Sequence, residues 1–334
     1  FFVAPLLLLA GCATRPVNPP IAKAEPESGY RMGTRPQILR TPDALVILTF
    51  SGGGTRAAAF SYGVLEVLRK TEARTADGRT SRLIDSVDVI TGVSGGSFTA
   101  LAYGLYGERL FSEYETRFLK RNVQGELIQR LLMPSNWPAL NSDGWGRSEM
   151  AAQLYDEVLF ENKTFADLNR GDGPFVAVMA TDISTGSRVG FVQTFFDVIC
   201  SDLLPVKLSR VAATSSAVPV VMSPVTYNNY GGTCGFEMPI WTRAASDPDN
   251  PARPAARAIK RMEEVMSYGD GQARPYLHLV DGGLADNLGM RAVLEVLEEF
   301  EAARSRGIKT PLDDVKRIVV VVVNSLSTPK TNWD

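Results

Sequence analysis

Three short stretches of this sequence carry residue types and spacings suited to acyl or phosphate chemistry. Gly92-Val93-Ser94-Gly95-Gly96 places a serine at the centre of a Gly-x-Ser-x-Gly pentapeptide. Between a strand and a helix, that pattern makes a turn too sharp for side chains. It lifts the hydroxyl above the strand end, beside the positive end of the following helix. Ser94 is therefore the candidate nucleophile, and the bland alternative is a tight turn with Ser94 as a helix cap. Ser51-Gly52-Gly53-Gly54-Thr55-Arg56 is a run of three glycines, again between a strand and a helix. Its bare N–H groups can approach a ligand closely, at a helix start that favours negative charge. Either a phosphate or the oxyanion of a tetrahedral intermediate suits it. No Gly-Lys-Ser/Thr follows, so a Walker loop is excluded, and the spacing does not fit Gly-x-Gly-x-x-Gly. The third stretch is Asp281-Gly282-Gly283, which puts a carboxylate directly after a candidate strand.

Other acids compete less well with Asp281. Asp286-Asn287 precedes a helix and reads as capping. Asp85, Asp88 and Asp182 have no glycine turn beside them. The chain has one histidine, His278, so any Ser-His-Asp triad has to use it. His278 lies three residues before Asp281 on the same candidate strand. That odd offset puts the two side chains on opposite faces, about 10 Å apart. With one histidine and three cysteines (Cys12, Cys200 and Cys234), no Cys/His metal site can be assembled. The 35 basic and 37 acidic side chains give a net charge of −2, which argues against nucleic-acid binding by bulk electrostatics.

These motifs sit in a strand–turn–helix alternation. Ala44–Phe50, Ser86–Thr91, Pro174–Thr181, Arg188–Thr194 and Tyr276–Val280 read as strands, and so does Arg317–Asn324. Residues Ile318–Val323 are all Ile or Val, which suits a central strand covered on both faces. Helical spacing marks Arg56–Lys70, Gly96–Tyr106, Pro205–Ser216 and Leu288–Arg306, with an amphipathic helical stretch at Glu108–Met133. The class is α/β, with a mostly parallel central sheet flanked by helices. Ser94 and Asp281 then both stand at carboxyl ends of strands, on the edge where α/β sites form. Asn228–Arg274 interrupts the alternation with Gly, Pro and charge around one helix at Ala255–Met266, and a loop this long is a candidate lid. Its Arg253, Arg257, Lys260 and Arg261 read as a solvated face, with a headgroup-binding lid as the sharper alternative.

Taken in order, Gly52–Arg56, Gly92–Gly96 and Asp281–Gly283, with Thr214-Ser215-Ser216-Ala217-Val218-Pro219, closely resemble the patatin-like phospholipase family over about residues 43–325. The resemblance implies a three-layer fold and a Ser-Asp dyad without histidine, acting on acyl esters of lipids. By that match Ser94 is the nucleophile and Asp281 the base, and Gly52, Gly53 and Gly54 supply oxyanion N–H groups. Arg56 holds a substrate phosphate or buttresses the loop. No metal or cofactor is required, and the partners are a phospholipid or other lipid acyl ester and a membrane surface. The 228–274 insertion departs from the pattern and leaves substrate selection open. A lipid-binding scaffold with a dead site, an acyltransferase or thioesterase on the same dyad, and a phosphate-binding domain are the competing readings.

The beginning of the sequence points to sorting. Residues 1–10 are uncharged and too short to span a membrane, and they fit the apolar part of a secretory signal. Leu9-Ala10-Gly11-Cys12 resembles a bacterial lipobox, with Cys12 as the lipidated residue. Residues 13–42 hold Pro16, Pro19, Pro20, Pro26 and Pro36 among polar residues and read as a flexible tether. The catalytic domain is expected over 43–334, with more of it beyond the last residue. The implied location is the bacterial envelope, lipid-anchored at the outer membrane or on the periplasmic face. Cys200 and Cys234 can pair in such an oxidising compartment, although spacing does not decide it.

Overall fold

The structure, a computed structural model, describes residues 13–35, 39–41, 44–74, 78, 80–142, 144–169, 171 and 173–326. In chain order the first elements are β1 (Ala44–Phe50), α1 (Gly54–Lys70), the β2 (Glu72–Arg74) and β3 (Thr80–Arg82) hairpin, β4 (Val89–Val93) and α2 (Gly95–Tyr106). Then come α3 (Leu110–Tyr114), α4 (Val123–Leu132), α5 (Trp137–Leu140), α6 (Arg147–Tyr155), α7 (Phe165–Leu168), β5 (Phe175–Asp182), β6 (Arg188–Phe191) and α8 (Gln193–Val198). The last part holds α9 (Leu208–Ser215), β7 (Val225–Asn228), α10 (Ile240–Ser246), α11 (Ala256–Met266), β8 (Tyr276–Asp281), α12 (Gly283–Asp286), α13 (Met290–Ser305) and β9 (Arg317–Val323).

The fold is α/β, as the alternation predicts, with one seven-stranded sheet. β9, β1, β4 and β5 are parallel neighbours in that order. β1, β4 and β5 are apolar on both faces because helices cover both, and α2 is buried along almost its whole length. β9 differs from expectation. Among the described residues it pairs with β1 alone, whose other edge holds β4, so it is the outer strand of the described sheet. Ile318, Val319, Val321 and Val322 are exposed there, so an apolar run that reads as central stands at the rim.

β8 also differs. It runs antiparallel to β5 and β7, not parallel. On β5, Ala180 and Thr181 face β6 across one edge and β8 across the other, while Phe175–Met179 face β4. Val178 and Met179 pair with β4 and β6 together, so β4 and β8 share the same edge of β5. They run toward each other along it, and their carboxyl ends meet where Met179 gives way to Ala180.

Glu108–Met133 is not one helix. Leu110, Tyr114 and Phe118 of its first half enter the core through α3 and a π turn at Glu115–Leu119. Its second half, α4, contributes no buried residue. The 228–274 insertion folds into α10 and α11, which pack on α13: Trp241 meets Phe300 edge-on at 6.2 Å, and Asn250 Nδ2 donates to the Ala302 carbonyl at 2.8 Å. Of its basic cluster, Arg253, Arg257 and Lys260 are exposed, as a solvated face requires, and Arg261 alone is drawn inward. Arg257 pairs with Glu298 at 2.6 Å, and the Arg261 Nε and Nη1 are buried.

Residues 13–35, expected as a tether, form a strap across the domain. Ile21 N donates to the Cys200 carbonyl at 2.9 Å and Ala24 N to the Cys234 carbonyl at 3.0 Å. Those two cysteines form a disulfide with Cα atoms 5.5 Å apart. Tyr30 is fully buried, stacks on Phe175 at 4.7 Å and accepts the Val176 N–H at 2.8 Å. Arg31 Nη2 meets Asp197 Oδ2 at 2.6 Å inside the protein. Proline-rich composition describes a chain without internal hydrogen bonds, and here the domain surface supplies the partners instead. Removing the Tyr30 ring with Tyr30→Ala is expected to cost about 3–5 kcal/mol, as for other buried aromatics. Urea unfolding checks this, and an unchanged midpoint would mean the strap is loose in solution.

Candidate active site

The site is built where β4 and β8 meet. Val93 ends β4, and Ser94 turns the chain into α2 with φ 48° and ψ −121°. A non-glycine residue at such a φ carries strain of order 1–3 kcal/mol. It is held there from both sides: Ser94 N donates to Ser215 Oγ at 2.8 Å, and the Ser94 carbonyl accepts Ser97 N at 3.0 Å. Ser94 is buried, and its Oγ donates to Asp281 Oδ2 at 2.8 Å.

Asp281 arrives from the opposite direction on β8. Its N–H is held by the Ala217 carbonyl at 2.9 Å, and its carbonyl accepts Thr181 Oγ1 at 2.8 Å. The other carboxylate oxygen, Oδ1, accepts Gly283 N at 2.7 Å. Burial pushes this carboxyl above the usual carboxylate range, opposed by the Gly283 N–H and the Ser94 hydroxyl.

The glycine loop lies against the serine turn, backbone on backbone. A Cβ on Gly95 would overlap the Gly54 carbonyl oxygen, so only glycine permits this approach. Gly53 has φ 138° and precedes α1. The three glycines are not equivalent. Gly52 N already donates to the Asn287 carbonyl at 2.9 Å, so it is not a free oxyanion donor. Gly53 and Gly54 are exposed at the start of α1, where N–H groups have no partner within the helix. Arg56 Nη2 lies 3.6 Å from the position a Cβ on Gly53 would take, at the mouth of the site.

The other candidates lie elsewhere or do other work. His278 is exposed, and its Nδ1 lies 3.0 Å from Thr226 Oγ1 on the paired strand. Asp286 Oδ2 caps α13 by accepting Ala292 N at 3.2 Å, as its position before a helix suggests. Asp182 accepts the Tyr268 hydroxyl at 2.7 Å and Ser184 N at 3.0 Å. Asp88 holds Arg40 N and Val46 N, and Asp85 pairs with Arg82. Cys12 lies outside the described residues.

Sequence reasoning missed three supporting residues. Ser215 Oγ accepts from Ser94 N and donates to the Met179 carbonyl at 2.7 Å, while its own carbonyl accepts Gly282 N at 3.1 Å. It therefore ties both strand ends to β5. Asn287 spans the glycine loop and the Asp281 turn. Ser325 Oγ donates to the Gly52 carbonyl at 2.7 Å and its N donates to Ser51 Oγ at 2.9 Å. Ser215 lies in the Thr214–Pro219 block and Asn287 in the pair that reads as capping, neither marked for this role, and nothing in the sequence marks Ser325.

Residues 48–294, most of the chain, match the family model described as patatin-like phospholipase. Among solved structures, human group IVD cytosolic phospholipase A2 is similar at 12% identity, covering 83% of this chain and 50% of that one, with a TM-score of 0.40. The same human enzyme in complex with methyl gamma-linolenyl fluorophosphonate aligns at 21% identity over 47% of this chain and 23% of that one, TM-score 0.30. Full-length ExoU with SpcU, from the type III secretion system of Pseudomonas aeruginosa, aligns at 15% identity over 80% of this chain and 60% of that one, TM-score 0.26. The chain spans half or less of the human enzyme's length. No curated protein sequence gives a significant match.

The raised carboxyl has a consequence for stability. An acid whose folded pKa lies above its unfolded value contributes stability at low pH and loses it as pH rises through the folded value. Ionised Asp281 is therefore a cost to the fold at neutral pH. Asp281→Asn is expected to raise Tm at pH 7, with the gain vanishing near pH 4. Thermal unfolding at the two pH values checks it, and a lower Tm at pH 7 would contradict the burial argument.

Proposed function

Because the chain belongs to the patatin-like phospholipase family, we propose that it is a lipid acyl-ester hydrolase in which Ser94 is the nucleophile and Asp281 the base. The observation that carries this reading is the 2.8 Å hydrogen bond from Ser94 Oγ to a buried carboxylate, beside the Gly53–Gly54 turn. An alcohol is a weak nucleophile in water. A neighbouring base of raised pKa, within hydrogen-bond reach, activates it.

In the proposed cycle Ser94 Oγ bonds to the ester carbonyl carbon as its proton passes to Asp281 Oδ2. The carbonyl oxygen becomes an oxyanion, held by the Gly53 and Gly54 N–H groups at the start of α1. Asp281 returns the proton to the leaving alcohol oxygen, and an acyl-serine remains. Water then attacks that acyl group and gives its proton to Asp281, which hands it back to Ser94 Oγ as the fatty acid departs. Asp281 Oδ1 stays bonded to Gly283 N throughout, which keeps Oδ2 aimed at the serine. Arg56 stands at the mouth, suited to a substrate phosphate.

Ser94→Ala and Asp281→Asn are each expected to abolish hydrolysis of a short-chain nitrophenyl ester, and their effects should not add. The kcat/KM of the unmodified enzyme should fall as pH drops through the raised Asp281 pKa, and His278→Ala should leave that limb in place. Gly53→Ala puts a Cβ 2.7 Å from Ser325 Oγ, which displaces the loop and should lower kcat on the order of 10²-fold or more. A Cβ on Gly54 meets open space, but its φ of 62° strains an L side chain, so Gly54→Ala should also lower kcat, by less than Gly53→Ala. Near-normal turnover by Asp281→Asn sinks the assignment.

We also propose that Cys12 carries a lipid anchor in an oxidising envelope compartment, a reading that the Cys200–Cys234 disulfide supports. The Ala13 carbonyl accepts Ser142 Oγ at 2.8 Å, so the anchor would stand directly against the domain. Cys12→Ser is expected to move the protein out of the membrane fraction while leaving short-ester turnover intact. Unchanged fractionation removes the claim.

A further inference from the structure

The two loops that fasten Asp281 both carry apolar side chains into solvent. After the Ala217 carbonyl takes the Asp281 N–H, the chain continues through Val218, Val220 and Val221, which are 48%, 89% and 65% exposed. On the other side of Asp281, Leu284 of α12 is 61% exposed. Val220 has φ 74°, a conformation that penalises a β-branched residue and that glycine or asparagine adopts cheaply. At 89% exposure no packing within the chain rewards the valine.

Two guanidinium groups are anchored beside these tips. Arg147 Nη2 donates to the Val220 carbonyl at 2.9 Å. Arg291 Nη1 donates to the Ala285 carbonyl at 3.0 Å, next to Leu284. Both bonds are exposed, and neither arginine forms an ion pair among the described residues. Apolar tips framed by unpaired cations match the boundary between acyl chains and anionic headgroups.

We propose that this rim seats the candidate active site on an anionic lipid bilayer, with Val218, Val220, Val221 and Leu284 entering the headgroup–acyl boundary and Arg147 and Arg291 meeting lipid phosphates. The inference rests on the acyl-ester hydrolase reading, because it supplies the reason for the rim to surround Ser94 and Asp281. A second exposed apolar stretch, with Leu132 and Trp137, is the rival face.

The test uses the full chain carrying Cys12→Ser, which removes any lipid anchor, and Ser94→Ala, which keeps vesicles intact. Co-sedimentation is measured with phosphatidylcholine vesicles, with and without phosphatidylglycerol. Binding is expected to need phosphatidylglycerol and to weaken with salt. Val220→Asn with Val221→Ser should lower the partition constant about tenfold or more. Asparagine suits the Val220 backbone, so that variant should fold. Arg147→Gln with Arg291→Gln should lower partitioning several-fold and flatten its salt dependence. No vesicle binding, binding unchanged in both rim pairs, or loss only with Leu132→Ser and Trp137→Ser overturns the proposal. Soluble-ester hydrolysis by the Ser94-intact chain is read separately, so a failed docking surface and a failed hydrolase reading give different results.

Discussion

β4 and β8 share one edge of β5 and run toward each other along it. A strand edge offers one set of N–H and C=O groups, so two strands can use it only by dividing its length. The division falls between Met179 and Ala180, and there both strands must end. One ends in the turn that presents Ser94, and the other ends in the carboxylate of Asp281. Two residues 187 positions apart are thus brought within 2.8 Å by strand pairing rather than by any loop finding its way across a crevice. Ser215 makes the junction rigid, because one hydroxyl joins Ser94 N to the Met179 carbonyl at the dividing point.

The glycines follow from the same geometry. Strand ends that converge bring their turns into backbone contact, and a Cβ on Gly95 or Gly96 would strike the Gly54 or Ser51 carbonyl. Contact this close also explains why one of three adjacent glycines has lost its donor. Gly52 N is spent on Asn287, which pins the loop to the Asp281 side, and pinning leaves Gly53 and Gly54 to face the mouth. A loop fixed before substrate arrives needs little reorganisation when charge develops, which is where oxyanion stabilisation gains its strength.

The legible part of the site was the part written in local chemistry. The turn at Gly92–Gly96, the glycine run and Asp281 each announce a strand end, and β1 begins and ends as its composition predicts. Strand direction is a different matter. Tyr276–Asp281 has the same apolar pattern whether it runs parallel or antiparallel, because side-chain alternation does not encode the partner. Ile318–Val323 misled for a related reason: an apolar run reports that a strand has two apolar faces, and says nothing of whether the sheet continues beyond it. The stretch 13–42 reads as a tether because it lacks a periodicity of its own. Its partners are carbonyls of Cys200 and Cys234, nearly two hundred residues away, which no window along the chain can see.

The histidine-free pairing places demands on what surrounds it. An imidazole can trade protons near neutral pH wherever it stands, but a carboxylate does so only when its environment makes the charge costly. Burial raises the pKa of the Asp281 carboxyl, and among the described residues that carboxyl accepts two hydrogen bonds, from Ser94 and Gly283. More donors would hold the charge too well and lower its basicity. Fewer would leave the buried charge uncompensated and the oxygen unaimed. With Asp281 in the proposed role of base, the number of N–H groups reaching it would be set between two failures, and the short Gly282-Gly283 turn supplies one backbone donor. In the proposed reaction a bulky acyl ester would have to reach this enclosed carboxylate, and the glycines beside the serine keep the neighbouring loops thin.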